Sequence, residues 1–421
     1  MARVVVVGGG AGGMLAAGRA AESGAKVVLL ERNSVLGKKL RITGKGRGNV
    51  TNTAGIEEFV AAFGPTGKFL YGAFSRFSNN DLIELLDRLG VPTKVERGGR
   101  VFPQSGRASD VADALDRRLR ELRVDIRPGT RAKGLSVSGD PVSSIAGVNV
   151  FGGTMSADAV IIATGGITYP ATGSTGDGYR MAAEVGHTIV PPVPSLAALD
   201  VAEGYVSSLE GLSLRNVEAS LHANGKRLGR EPGEMLFTGA GVSGPIILTL
   251  SKVYARLEDK SDVELRINLK PGLGREKLEA RLLADFTRTT QYMNYLGELL
   301  PRKMVPVFAE VSRISGDTTL NKITSVQRRR IIDMLLGYRF TITGARPAEE
   351  AIVTAGGVAI GEIDSRTMES KIVQGLYLCG EVIDIDGTTG GYNLQAAFST
   401  GWVAGENAAR DRNAPEGQAV R

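Results

Sequence analysis

The chain opens on a continuous apolar, β-branched run, Arg3 to Val7, of the kind that lies buried on both faces of a parallel sheet. A glycine cluster follows, then an alanine-rich helical stretch from Met14 to Ser23. Gly24 stands after it, where a helix C-cap needs positive φ. Lys26 to Leu30 reads as the next strand. Two more apolar runs of strand length, Ala159 to Ile162 and Gly375 to Glu381, lie far down the chain, and a helical pattern from Ala396 to Ala409 follows the second. Between those runs the pattern changes twice. Pro191-Pro192-Val193-Pro194 marks an exit, after which short segments such as Val217–Leu221 and Val263–Leu269 alternate apolar and polar, predicting an antiparallel sheet or small barrel. From Gly272 to Leu336 the spacing is helical: Leu278, Leu282 and Leu283 are expected on one face, and Leu299, Met304 and Phe308 follow. Phe340 to Ile342 returns to strand character.

Composition narrows the class. A chain of 421 residues is long enough for two or three domains. Its 56 glycines are about twice the usual share of roughly 7%, and they gather in clusters, which suggests close backbone approach to a ligand. One cysteine, Cys379, excludes an internal disulfide and a Cys-rich metal site. With only His187 and His222, a His-based metal centre is not expected either, and both read as structural. No signal-like or membrane-length apolar segment is visible, so a cytoplasmic location and no membrane partner are expected.

The net charge of +6 has a location. Lys270 to Arg330 holds 12 Lys/Arg against 6 Asp/Glu, leaving 39 of each sign elsewhere. A solvated helical surface is the plain reading; a basic cap for an anionic substrate, a nucleotide phosphate or RNA is the sharper one.

Chemistry enters at the first glycine cluster. Gly8, Gly10 and Gly13 satisfy G-x-G-x-x-G, with Ala11 and Gly12 between them. Gly8 permits the sharp turn, Gly10 admits a pyrophosphate against backbone, and Gly13 lets helix pack on strand. The helix amino terminus then offers N–H groups to phosphate. Glu31, 23 residues after Gly8, suits ribose hydroxyls and disfavours a 2′-phosphate, so FAD or NAD is indicated and NADP is not. Arg32 is its basic neighbour. Strand, turn, helix, strand and acid in that order predict a dinucleotide site.

The far end of the chain selects FAD. Gly380-Glu381 closes a strand, Asp384 and Asp386 follow, and Gly387 to Gln395 leads into a helix through Gly391, Tyr392, Asn393 and Leu394. An acid here suits ribityl hydroxyls, and a glycine-led helix start suits negative charge on a reduced flavin. NAD needs no such second clamp. Thr164-Gly165 after Ala159–Ile162 supplies a third contact. Leu36 to Asn52 adds Lys38, Lys39, Arg41, Lys45 and Arg47 with interleaved Gly46 and a closing Asn49-Val50-Thr51-Asn52. Cations and glycines together suit a pyrophosphate and a flavin edge.

These residues resemble the BaiN/YhiN-like family of bacterial NAD(P)/FAD-dependent oxidoreductases, some of which are labelled aminoacetone-oxidase-like. Gly8–Gly13, Gly37–Asn52, Gly99–Pro103, Thr172–Gly178, Pro194–Leu196, Leu236–Pro245, Ala355–Val358, Thr367–Lys371 and Gly380–Gln395 match in order over essentially the whole chain. Two positions depart: Gly48 stands where the family usually has Cys, and Gly239 where it usually has His. The resemblance implies an α/β fold, a Rossmann-like FAD-binding domain that is discontinuous and interrupted by insertions. The expected limits are residues 1–190 and 345–421 for the FAD domain, 191–270 and 337–344 for a β-barrel-like insert, and 271–336 for a small helical insert.

Gly239, Gly241 and Gly244 form a second G-x-G-x-x-G. Pro245 follows at once and no acid or arginine closes the next strand, so a loop-to-helix element near the flavin is expected in place of a second dinucleotide fold. NADH or NADPH would then be a transient donor. Tyr392, Arg100 and Tyr169 are the candidates for substrate or proton handling, and packing or phosphate-contact roles fit each equally well. The leading expectation is hydride delivery from flavin N5 to an electron-poor C=C or C=O of a small molecule. The alternatives are an oxidase of small amines and an RNA-binding or redox-sensing flavoprotein. Nucleic acid is not the first expectation, and the oligomeric state is left open.

Overall fold

The computed structural model describes residues 1–139 and 143–410 and divides the chain into two compact units, Met1–Pro194 with Ala351–Arg421 and Ser195–Glu350. In the first unit, strands β1 (Arg3–Val7), β2 (Lys26–Glu31), β3 (Asp125–Pro128), β4 (Ala159–Ile162) and β5 (Leu376–Leu378) form one sheet in the order β5-β4-β1-β2-β3. Every pairing in it is parallel. Val4 to Val7 and Ala159 to Ile162 are buried throughout, which is why these strands read as unbroken apolar runs. Helices α1 (Ala11–Glu22), α2 (Ala108–Glu121) and α3 (Tyr392–Ala408) belong to the same unit, and α1 and α3 contribute to its apolar core.

The runs at the carboxyl end were read longer than they are. Gly375 to Glu381 contains only the three-residue strand β5, because Gly380 adopts φ +73 and turns the chain into a 3₁₀ turn. The last helix, conversely, begins at Tyr392, four residues before the apolar pattern becomes regular.

In the second unit six antiparallel strands close a barrel in the order Leu199–Val201, Gly241–Ser243, Lys226–Phe237, Ser213–Ala223, Val263–Asn268, Tyr338–Ala345. The helices Arg275–Asp285, Tyr292–Leu299, Val305–Ser312 and Ser325–Leu336 share one apolar core with it, including Phe237, Tyr292, Phe308, Tyr338 and Phe340. Barrel and helices are therefore one unit, where the sequence suggested two inserts. Leu278 and Leu282 are buried, but Leu283 is 48% exposed and leaves the predicted face.

The second G-x-G-x-x-G belongs to this barrel. Gly241 begins a strand so close to its neighbour that a Cβ would lie 2.0 Å from Leu199 O. Gly244, at φ +97, precedes Pro245 at the start of a helix, and the following strand is antiparallel in the barrel. A parallel βαβ unit, which a dinucleotide fold requires, is not formed there.

Candidate cofactor site

The carboxyl ends of the parallel strands gather the glycine motifs, the edge at which open α/β sheets bind ligands. After β1, Gly8 takes φ +106 with its Cβ position 2.5 Å from Ala163 O, so only glycine fits. A Cβ on Gly13 would stand 1.8 Å from Gly8 O, whereas one on Gly10 would meet nothing within 4 Å. The three glycines thus differ: Gly8 makes the turn, Gly13 allows helix-on-strand contact, and open space lies over Gly10.

Two helix starts open on this edge. Met14 N–H bonds Gly10 O and Gln395 N–H bonds Gly391 O. The first-turn N–H groups of Ala11, Gly12 and Gly13, and of Tyr392, Asn393 and Leu394, therefore precede the intrahelical ladder. The helices touch backbone to backbone: Cβ positions on Gly401 and Gly405 lie 2.3 Å from Gly12 O and Ala16 O. Equal steps on the two chains mean that α1 and α3 run parallel. From the Gly12–Gly401 contact, α1 begins one residue back and α3 nine, a stagger of roughly 12 Å at 1.5 Å per residue. Two parallel amino termini, displaced along one line, suit a ligand with a pyrophosphate at one point and a second electron-rich end further on.

The loops around them interlock. Gly391, at φ +103, has its Cβ position 2.2 Å from Thr51 O. The Asn49 amide fits its neighbours in one orientation, donating to Val101 O and Thr51 O and accepting from Gly391 N at 3.0 Å. Asn52 Nδ2 donates to Gly98 O and Gly390 O, both at 3.0 Å. The buried hydroxyl of Thr51 has no partner among the described residues, a loose polar end in a loop that a ligand would border. Asn393 closes the adjoining loop on itself, accepting from Gly387 N at 2.7 Å and donating to Gly387 O.

The acids behave differently from their sequence reading. Glu31 is buried at the end of β2, and its carboxylate accepts from Gly9 N at 2.8 Å and from Asn33 N and Nδ2 at 2.7 Å. A carboxylate has about four acceptor positions, so Glu31 keeps capacity for one further donor. Glu381 is a bracket: it accepts from Lys39 Nζ at 2.8 Å, Thr354 N at 2.7 Å and Thr168 Oγ1 at 3.1 Å. It joins the amino-terminal basic loop to the carboxyl-terminal motif. Asp384 accepts from Gly356 N, and Asp386 is buried and engaged within the protein.

Most of the predicted cations are likewise occupied. Arg41 pairs with Asp113 on α2. Arg32 bonds Thr175 and Asp177, where Arg131 also binds. Lys38 donates to Ala171 O, and Arg47 pairs with Glu96 across the Phe102 ring. Gly46, at φ +82, shapes the loop. Thr164 Oγ1 lies 2.1 Å from the Cβ position of Gly178, so its hydroxyl faces a helix, leaving its backbone and Gly165 at the edge.

Of the candidates for proton handling, Tyr392 is edge-on to Phe59, and burial, with Glu58 nearby, holds its phenol above the ordinary value. Arg100 is exposed beside Phe102. Tyr169 sits at φ +53, its carbonyl accepting from Thr172, a turn-forming role. Cys379 is buried beside Gly12, and burial pushes its thiol up to about 12, so it is no thiolate at neutral pH. Gly48, at φ +77 with its Cβ position 2.9 Å from Ala108 Cα, leaves no room for a side chain. Sequence reasoning missed Lys39–Glu381, Thr354 and Asn33; the only signal for them was the spacing of polar residues beside glycines.

The chain is similar over nearly its whole length to known proteins. A relative from Clostridium scindens, "3-dehydro-bile acid delta(4,6)-reductase", is 32% identical over 97% of this chain and 99% of its own. A relative from Escherichia coli, "Ribosomal RNA dihydrouridine synthase", is 30% identical over 96% of this chain and 97% of its own. Among solved structures, the 3-ketosteroid delta1-dehydrogenase of Sterolibacterium denitrificans superposes with a TM-score of 0.53 at 14% identity, over 97% of this chain and 100% of that one, which speaks for the fold. The model of the HI0933-like protein Rossmann domain matches residues 2–407, and the chain belongs to that family of FAD-dependent oxidoreductases.

Proposed function

We propose that this protein is a reductase that takes hydride from NADH or NADPH and passes it, by way of FAD, to an electron-poor C=C or C=O of a small molecule. FAD, when bound, supplies the two-electron chemistry. The reading rests on the staggered parallel starts of α1 and α3. Ala11, Gly12 and Gly13 are assigned to the pyrophosphate, and the N–H groups of Tyr392, Asn393 and Leu394 to the pyrimidine end, where a helix dipole favours negative charge. Glu31 orients the adenosine end, and the Glu381 bracket keeps the basic loop against the carboxyl-terminal motif. The name of one relative, a bile acid delta(4,6)-reductase, supports the small-molecule substrate class, and the dihydrouridine synthase relative supports reduction of a C=C bond.

Anaerobic mixing of the yellow protein with NADH or NADPH tests the reading. Rapid bleaching of the flavin band and slow reoxidation in air are expected, which also separates a reductase from an amine oxidase. Absence of bleaching with either nucleotide contradicts the proposal.

A second reading takes uridine in RNA as the acceptor. It draws on the dihydrouridine synthase relative and on exposed cations such as Lys277, Arg302, Lys322 and Arg329 in the second unit. A gel shift with transcribed ribosomal RNA at physiological salt tests it, and no shift there removes it.

A further inference from the structure

The small sheet beside the cofactor loop carries a charged face that the FAD assignment does not use. In its antiparallel register Lys94 lies opposite Phe102, and Glu96 and Asn52 lie opposite Arg100. Directly opposed residues share a face, so Lys94, Glu96, Arg100, Phe102 and Asn52 stand together. Arg47 covers that face from the preceding loop, its guanidinium 4.5 Å from the Phe102 centroid and bonded to Glu96. The Arg100 guanidinium stands 5.9 Å from the same ring. Lys94, Arg47 and Arg100 are all exposed. Glu96 is the only acid from residue 93 to residue 109, and residues 32 to 56 contain none. The Arg47 hydrogen bond, with Lys94 and Arg100 close by, holds the Glu96 carboxyl below the usual carboxylate range. The cationic excess is therefore local and faces water.

Its position matters as much as its charge. Asn52, on the same face, bonds both Gly98 at the hairpin tip and Gly390 before α3. The cations thus border the α3 end of the cofactor site, opposite in sense to the Glu31 end. The second glycine motif is part of the barrel and offers no nucleotide fold.

We propose that this face binds the adenosine 2′-phosphate of NADPH, with Arg100 and Lys94 as the phosphate ligands and Arg47, fixed over Phe102, as a flat cation for the adenine. The inference rests on the NAD(P)H-dependent reading. An arginine fork matches phosphate bidentately and a lysine supplies a point charge. An open surface suits a donor that arrives, reduces and leaves. The same chain then discriminates twice: Glu31 rejects a 2′-phosphate at the resident FAD site, and the hairpin selects one at the visiting site.

Calorimetric titration of the FAD-loaded full chain with 2′,5′-ADP and with 5′-AMP tests this directly. Wild type is expected to bind 2′,5′-ADP at least about tenfold more tightly than 5′-AMP. In Lys94→Ala, Arg100→Ala and their combination the preference should shrink to about threefold or less, with Arg100→Lys between. The flavin spectrum reports that each variant remains loaded. Equal binding of the two ligands by wild type overturns the proposal, as does a preference that survives the double variant. Loss of RNA binding in the variants without any 2′-phosphate preference in wild type overturns it too. Neither ligand carries a hydride, so failure here is distinct from failure of the bleaching experiment.

Discussion

Glu31 holds two loops with one carboxylate, accepting from Gly9 on one side and Asn33 on the other. Removing it loosens the Gly8–Gly13 turn and, in the proposed site, deletes an acceptor for ribose. Glu31→Ala is therefore expected to weaken FAD by about 1.5–3 kcal/mol, roughly ten- to a hundredfold, read by titrating apoprotein and following flavin fluorescence. An unchanged affinity would place the adenosine elsewhere. A different residue-scale device lies away from the cofactor edge. His187 is buried between Glu362 Oε2 at 3.0 Å and Ser370 Oγ at 2.8 Å. Burial lowers its pKa from 6.5, with Glu362 pulling the other way. Because the folded state disfavours the charged ring, this contribution to stability is full above the ordinary histidine pKa and is lost as pH falls toward the lowered value, by at most about 1.4 kcal/mol per pH unit. Glu362 is itself held low: burial raises it, and hydrogen bonds from Thr188 and His187 outweigh that, so its contribution fades in the same direction at more acid pH. The melting temperature should fall between about pH 7.5 and pH 5.5, and His187→Asn should flatten that slope. Parallel slopes for the two proteins would count against the assignment.

At the scale of elements the α1–α3 contact sets the spacing of the two helix starts. Gly401 and Gly405 are equally tight points of that crossing, and Gly401→Ala forces a Cβ to within 2.3 Å of Gly12 O. The expected cost is about 1–3 kcal/mol in denaturant unfolding of the holoprotein, with weaker FAD retention because α1 must shift. A variant as stable as wild type would mean the helices tolerate separation. The strands β1 and β4 were visible in sequence, because burial on both faces leaves Val4–Val7 and Ala159–Ile162 entirely apolar. Contacts of Arg32, Lys38, Arg41 and Glu381 were not visible. A charged side chain in a glycine-rich loop fits a phosphate or a protein partner equally well by composition, and only the fold brings Lys39 to Glu381 across 342 positions of sequence. The parallel stagger of the helices, which carries the functional reading, is a tertiary property with no local signature.

At the scale of the molecule, the discontinuous first unit is held by the pairing of Ile189–Ser195 with Val353–Val358, where the chain leaves and returns. Ala359 N bonds Thr188 O, and the Cβ position of Gly356 lies 2.4 Å from Pro191 O, so the two ends are close. Replacing residues 195–350 by a short Gly/Ser linker should leave a folded unit that binds FAD, measured by flavin absorbance after gel filtration. Aggregation without flavin would show that the first unit's core is insufficient alone. The reach of the sequence differed between the units. Both ends of the FAD-binding unit were legible from glycine motifs, whereas the shared core of barrel and helices was not, since alternating strands and amphipathic helices carry no mark of which partner covers them. In the proposed site one ligand is held by two motifs about 350 residues apart, Gly8–Glu31 and Gly380–Gln395. Quantitative titration of the full-length apoprotein with FAD, in competition with ADP and with FMN, tests it most directly. The account predicts saturation at one FAD per chain, with ADP and FMN each competing far more weakly than FAD because each engages one helix start only. Saturation by NAD, or FMN binding as tight as FAD, would contradict it.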